Sequence, residues 1–140
     1  MKTKTKMKTV VITLILACSA FIVEGCQKYE EGPMFSLRSK TERVANTWTV
    51  DNYKVNETDF TSLVGGYSET YSKDGIFSFN WGIFGATGTW EFKSSNEEIL
   101  ISGIEGQTDR TLYILKLEEK QFWYYYLNGS DKHEFHMIGE

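Results

Sequence analysis

The chain has 140 residues, with 15 Lys and Arg against 19 Asp and Glu and a formal net charge of −4. This acidic balance disfavours a nucleic-acid partner, because binding to a phosphate backbone depends on clustered positive charge. Both cysteines lie within the first 26 residues, so no disulfide framework is expected in the rest of the chain. The aromatic content of 15% is high enough for a small domain to build a core.

The first 25 residues have the three parts of a cleavable export signal. A basic start with Lys2, Lys4, Lys6 and Lys8 precedes an apolar run over residues 10–23, and the small residue Gly25 stands before Cys26. The run is shorter than the roughly 20 residues that a membrane-spanning helix needs. The sequence therefore predicts that residues 1–25 are a signal peptide and are removed.

The segment Val23-Glu24-Gly25-Cys26 resembles the bacterial lipobox. The resemblance implies that Cys26 becomes the lipidated N-terminus and that the lipid anchors the protein to a membrane. A rival site is Ile15-Leu16-Ala17-Cys18, and an unmodified secreted cysteine is the third alternative. We favour Cys26, because cleavage at Cys18 would leave apolar residues 21–23 on an exposed tether.

Residues 26–45 are predicted to form a lipidated polar tether that ends in one helical turn. Residues 27–39 are polar and include Pro33, and residues 40–45 offer Val44 as an apolar anchor. Without the signal peptide the chain carries 11 Lys and Arg against 18 Asp and Glu, a formal charge of −7.

From Asn46 onward the hydrophobic period is two, which is typical of β-strands. Eight such runs cover residues 47–55, 66–72, 76–81, 87–93, 99–102, 110–117, 122–127 and 132–138. Asp74-Gly75 and Asn128-Gly129 lie between runs and suit tight hairpins. Residues 46–140 are therefore predicted to be an all-β domain, an eight-stranded antiparallel up-and-down barrel, since closure removes exposed strand edges.

Both ends of the mature chain resemble the small lipocalin-like lipoproteins of Bacteroidota. The matching residues are Lys28-Tyr29-Glu30-Glu31-Gly32-Pro33, Ser36-Leu37-Arg38-Ser39-Lys40, Arg43, Asn46-Thr47-Trp48 and Lys132-His133-Glu134-Phe135-His136-Met137. Asn46-Thr47-Trp48 would correspond to the lipocalin Gly-x-Trp, with Asn in place of Gly and with Trp48 plugging one barrel end. The resemblance implies an outer-membrane lipoprotein of the cell envelope, facing the periplasm or the surface, whose barrel carries or sequesters a small apolar molecule.

A barrel of eight strands is just wide enough to be filled by side chains or to hold one small ligand, and both alternatives stay open. The candidate ligand-binding residues are the aromatic side chains expected in the barrel interior or at its mouth: Trp48, Phe77, Phe79, Trp81, Phe84, Trp90, Phe92, Tyr113 and Tyr124. Residues 81–86 are either a flexible lid or a continuing strand with Ile83 and Phe84 buried.

The aromatic run over residues 122–126 suggests a different function. Rings exposed on a sheet face could contact glycans in adhesion, or dock another envelope protein. The same rings could instead be half inside the barrel and half covered by neighbours.

Catalytic patterns do not occur in the sequence. His133 and His136 are three residues apart, so on a strand they point to opposite faces and cannot share a metal ion. No Gly-x-Ser-x-Gly elbow and no phosphate-binding loop is present, and the acidic pairs Glu97-Glu98 and Glu118-Glu119 are typical of solvated turns. We therefore expect a protein that is not an enzyme and needs no cofactor or metal.

Overall fold

A computed structural model describes residues 37–140 of the chain. This part begins with one short helix, α1 (Lys40–Val44). Nine strands follow: β1 (Thr47–Val55), β2 (Thr58–Asp59), β3 (Tyr67–Tyr71), β4 (Ile76–Trp81), β5 (Phe84–Lys93), β6 (Glu98–Ser102), β7 (Arg110–Leu117), β8 (Gln121–Asn128) and β9 (Asp131–Gly139). Two 3-10 helices cover Thr61–Val64 and Ser94–Asn96. The predicted signal peptide, the lipidation site Cys26 and the tether up to residue 36 lie outside the described residues.

The strands form one closed antiparallel barrel. From β3 to β9 each strand pairs with the next one along the chain, and β1 pairs with both β3 and β9. Seven residue pairs from Trp48–Gly139 to Val55–His133 join β1 to β9 and close the barrel. The eight strands β1 and β3–β9 make the up-and-down barrel, and the two-residue β2 extends a hairpin at the end of β1. The predicted all-β class and the eight-stranded topology are confirmed.

The predicted strands over residues 47–55, 76–81 and 110–117 agree with the structure to the residue. The strand predicted over residues 87–93 corresponds to β5, which begins earlier, at Phe84, because Trp81 pairs directly with Phe84 across a two-residue turn. Gly82 adopts a positive φ of 61° in this turn, a conformation that glycine adopts without strain. Residues 81–86 are thus a hairpin tip rather than a separate lid. The burial expected for a continuing strand is wrong, since Ile83 and Phe84 are 95% and 66% exposed.

No pattern in the sequence predicts β2. Asn56 and Glu57 both have positive φ in the turn that joins β1 to β2. Such a turn normally carries glycine at its second position, so Glu57 at that position does not indicate a turn. β1 and β3 share only three residue pairs, at the start of β1. Further along β1, on the same side, lie β2 and the helix Thr61–Val64.

Helix α1 closes one end of the barrel. Ser39 and Glu42 form a reciprocal capping box at its start. Val44 is fully buried, and the Trp48 Nε1 donates a hydrogen bond to the Val44 carbonyl at 2.8 Å. Trp48 therefore plugs the end that α1 covers, as the Asn46-Thr47-Trp48 segment implies.

Aromatic and aliphatic side chains fill the interior next to α1. The Trp48 and Phe122 ring centroids lie 5.5 Å apart, and Tyr71 makes edge contacts with Phe122 at 5.8 Å and with Trp90 at 5.7 Å. Leu117 and Met137 complete this layer and are fully buried. This end of the barrel is therefore filled by side chains, and their close packing stabilises it.

Candidate ligand pocket

A cavity of about 370 Å³ opens at the end of the barrel away from α1. Its size falls in the range of roughly 300–1,000 Å³ that small-molecule sites occupy. Most of its wall is aromatic or aliphatic, formed by Leu63, Val64, Phe77, Phe79, Trp81, Ile101, Ile104, Leu112 and Phe135. The barrel is thus filled in one half and open in the other.

A glycine helps to shape the cavity wall. A Cβ atom at Gly88 would lie 2.8 Å from the Ile104 Cγ1 and 2.5 Å from the Ser102 carbonyl oxygen. Real Cβ atoms do not approach other atoms so closely, so only glycine lets the end of β6 come this near to β5. The close approach places Ile104, from the β6–β7 loop, in the wall of the cavity.

A buried carboxylate lies at the floor of the cavity. Glu69 is only 2% exposed and pairs across the strands with Trp48, the residue that plugs the closed end. Three tyrosine hydroxyls donate to it: Tyr67 at 2.7 Å and Tyr124 at 2.8 Å to Oε1, and Tyr71 at 2.8 Å to Oε2. These bonds offset much of the cost of burying a charged group.

The surroundings of Glu69 change the acidity of the whole cluster. Burial raises the pKa of Glu69 above its ordinary value, and the three hydroxyl donors and the charge of Arg110 offset only part of this effect. Burial, and after it the neighbouring Glu69 charge, raises the pKa of Tyr67, Tyr71 and Tyr124 well above the ordinary value. The three phenols therefore remain protonated donors over the whole physiological pH range.

Sequence reasoning missed Glu69, although a local signal exists. In Tyr67-Ser68-Glu69-Thr70-Tyr71 the two tyrosines and the glutamate alternate with small polar residues. A strand with this pattern presents Tyr67, Glu69 and Tyr71 on one face. Because that face is the aromatic one, the pattern predicts a glutamate in the interior. Tyr124, 55 residues away, could not have been assigned to the cluster in this way.

Arg110, the first residue of β7, lies at the mouth of the cavity. Its guanidinium carbon is 4.3 Å from the centroid of the Tyr126 ring, a cation–π contact. Among residues 37–140, no carboxylate oxygen lies within ion-pair distance of this guanidinium. A second, more polar groove outside the barrel also borders Arg110, which therefore faces both spaces.

His133 belongs to the inner face at the open end. Its Nδ1 is 2.8 Å from the Tyr53 hydroxyl, and its ring stacks on Tyr126 with centroids 4.8 Å apart. His136 lies on the outer face, where it stacks on Trp123. The two histidines point to opposite faces, as their spacing predicts. Within the part of the chain that the structure describes, no group of three or more His, Cys, Asp or Glu could hold a metal ion.

The rim of the cavity carries exposed apolar side chains. Trp81 and Phe84 lie at the end of the β4–β5 hairpin and are 43% and 66% exposed, and Ile83 forms its tip. Leu63 also lines the cavity and is exposed. These side chains border part of the cavity mouth with exposed apolar surface.

The outer aromatic rings of β8 are covered by their cross-strand neighbours. Trp123 stands between Lys116 and His136, with the ammonium 4.4 Å and the imidazole 4.0 Å from its ring. Tyr125 is flanked by Tyr113, 4.9 Å away, and by a lysine ammonium at 5.0 Å. Stacking on a sugar needs an open ring face, so these contacts weaken the hypothesis of a glycan platform.

Eight of the nine candidate ligand-binding residues separate into four groups. Phe77, Phe79 and Trp81 line the cavity, and Phe84 extends from its rim. The filled half of the interior takes Trp48, Trp90 and Phe92, and the buried Tyr124 lies beside the cavity floor through its bond to Glu69.

The interior placement of Tyr113 is wrong. Leu112 and Ile114, its neighbours on β7, are buried in the core, so the alternation of the strand turns Tyr113 outward. Its ring stacks on Tyr125 there.

Comparison with protein-family models gives no match, and comparison with curated proteins gives none either. Within residues 37–140, no helix has the length and apolar character needed to cross a membrane. What can be assigned to the protein is therefore its class, a closed eight-stranded antiparallel β-barrel compatible with a calycin-like fold.

Proposed function

We propose that this protein is a non-enzymatic, lipid-anchored lipocalin-like lipoprotein of the cell envelope that carries or sequesters a small apolar molecule. The observation that carries the proposal is the cavity of about 370 Å³ at the open end of a barrel whose other end is filled. Burial of apolar ligand surface against these walls contributes about 25 cal/mol for each Å² removed from water. The aromatic and aliphatic lining supports an apolar ligand body.

The placement in the envelope rests on the N-terminal sequence. The basic start, the apolar run and Cys26 support export and lipidation, and with them the membrane as a partner. The described chain enters the barrel through α1 at the closed end. A tether that joins there leaves the cavity mouth free for exchange of ligand.

Lipidation is tested by metabolic labelling with a fatty-acid probe. Cys26→Ser should abolish the label, whereas Cys18→Ser should keep it and serves as the matched control. Label that persists in Cys26→Ser and disappears in Cys18→Ser would move the anchor to Cys18.

Ligand binding is tested by native mass spectrometry of residues 27–140 purified from host cells, since this segment contains the whole described barrel and α1. A mass that is present under native conditions and lost on denaturation supports the carrier function. Val64→Trp, which places an indole in the cavity wall, should remove that mass, and Ile76→Trp at an exposed site on β4 should not. A protein that is always ligand-free would refute the carrier function and move attention to the exposed rim.

A further inference from the structure

The cavity has charged groups of opposite sign at its two ends. Glu69 lies at the floor, level with Trp48, and Arg110 lies at the mouth, where β7 begins. The two charges are electrostatically coupled, since the positive charge of Arg110 lowers the pKa of Glu69. Any ligand that fills the cavity is exposed to this difference in charge along its length.

The two charged groups differ in how far their hydrogen-bonding capacity is used. Glu69 already accepts three tyrosine hydroxyl bonds and is closed off from solvent. Arg110 is oriented by its contact with the Tyr126 ring, and no carboxylate of residues 37–140 pairs with it. Its planar fork suits a carboxylate or a phosphate group, and Gln107 and Thr108 add polar side chains beside it.

We propose that the cavity binds a single-chain amphiphile with an anionic head group, a carboxylate or a phosphate, and that this head group pairs with Arg110 at the mouth. The inference rests on the proposed carrier function and specifies its ligand class. The apolar chain extends inward against Phe77, Ile101 and Leu112. The reverse orientation is disfavoured, because it would bring the anionic head to the buried carboxylate of Glu69.

The test compares decanoate, decyl phosphate and decanol as probes that share one apolar chain. Calorimetric titration into residues 27–140 should give at least one anion an affinity about tenfold or more above that of decanol. Arg110→Gln should remove this advantage, and it should weaken the binding of decanol far less than that of the preferred anion. Arg38→Gln changes an exposed arginine that pairs with Glu119 at 3.2 Å, and it should bind like the unmodified protein.

Salt dependence separates a charge contact from a structural role. Binding of the preferred anion should weaken as salt rises in the unmodified protein, but not in Arg110→Gln. Arg110→Lys, which keeps the charge but loses the planar fork, should retain part of the affinity and the salt dependence. The preference between decanoate and decyl phosphate then identifies which of the two head groups the site takes.

Three results would overturn the inference. Equal binding of all three probes, or an equal loss for all of them in Arg110→Gln, would leave an apolar carrier without an anion site. Failure of all three probes while native mass spectrometry still finds a bound molecule would refute the ligand class and keep the carrier function. Failure of all three probes with no bound molecule would refute both.

Discussion

Removal of the Tyr124 hydroxyl tests the buried carboxylate cluster. In Tyr124→Phe, the Oε1 of Glu69 loses a hydrogen bond of 2.8 Å and keeps only the bond from Tyr67. Both partners are almost fully buried, so water does not replace the lost donor. A hydrogen bond to a buried charged group contributes about 1.5–3 kcal/mol. We expect the free energy of unfolding to fall by about 2 kcal/mol at neutral pH, which lowers the melting temperature by roughly 10 °C.

The cost of this substitution should depend on pH. The folded-state pKa of Glu69 is raised above its unfolded value, so its contribution to stability is fully present below the unfolded pKa and is lost as pH rises through the folded one. Tyr124→Phe lacks one of the hydrogen bonds that lower the pKa of Glu69, so its folded-state pKa is raised further. The variant therefore loses more stability than the unmodified protein as pH rises. The difference in unfolding free energy should therefore grow from acid to neutral pH.

Urea denaturation at several pH values between about pH 4 and pH 7 measures this difference. Tyr113→Phe is the matched control, because Tyr113 lies on the outer face, and its effect should stay within about 0.5 kcal/mol. A cost for Tyr124→Phe that is the same at every pH, or that is below about 0.5 kcal/mol at neutral pH, would refute the argument that its hydroxyl stabilises an ionised Glu69.

Three further predictions concern the packing of the barrel and its tyrosines. Gly88→Ala should destabilise the protein by about 1–3 kcal/mol in denaturant unfolding, because its Cβ would overlap the Ser102 carbonyl, whereas Gly65→Ala has open space and should be neutral. Trp48→Phe loses the hydrogen bond to Val44 and should speed amide exchange in α1, whereas Trp81→Phe at the rim should leave that exchange unchanged. In an ultraviolet titration, Tyr67, Tyr71 and Tyr124 should ionise only as the protein unfolds in alkali. Their raised pKa values also predict that stability falls as pH rises above about 10, where the unfolded chain ionises first; smooth ionisation of all tyrosines in the folded protein would contradict this.

Much of the fold could be predicted from local patterns. The period of two, with turn signals such as Asp74-Gly75 and Asn128-Gly129, depends only on neighbouring residues, and the eight strands were found in the right order. The errors occurred where local chemistry was ambiguous. The pair Gly82-Ile83 makes a tight hairpin that a flexible loop could equally have explained, and Glu57 takes a turn conformation that is rare for its residue type.

The candidate site was predicted only in part. Phe77, Phe79 and Trp81 alternate along one strand, so their common inner face follows from the sequence, and the cavity does contact all three. Arg110 was missed because it is an ordinary charged residue until the barrel closes around it, whereas Glu69 was missed although its alternation with Tyr67 and Tyr71 places it on the inner face of β3. Tyr113 and Tyr124 were both expected in the interior, but only Tyr124 lies there, because their faces depend on the register of two strands that are aromatic on both sides.

The sequence by itself determined the all-β class, the number and order of the barrel strands, and the expectation of an exported, lipidated chain, since each follows from short-range periodicity or a contiguous motif. Only the tertiary structure decided that the barrel is filled beside α1 and open at the other end. That division depends on how side chains from eight strands fill each level of the interior, and on a glutamate that reaches three tyrosines from two different strands. The filling of the interior and the hydrogen bonds of this glutamate depend on residues that barrel closure brings together from distant parts of the chain. No single segment of the sequence therefore determines them.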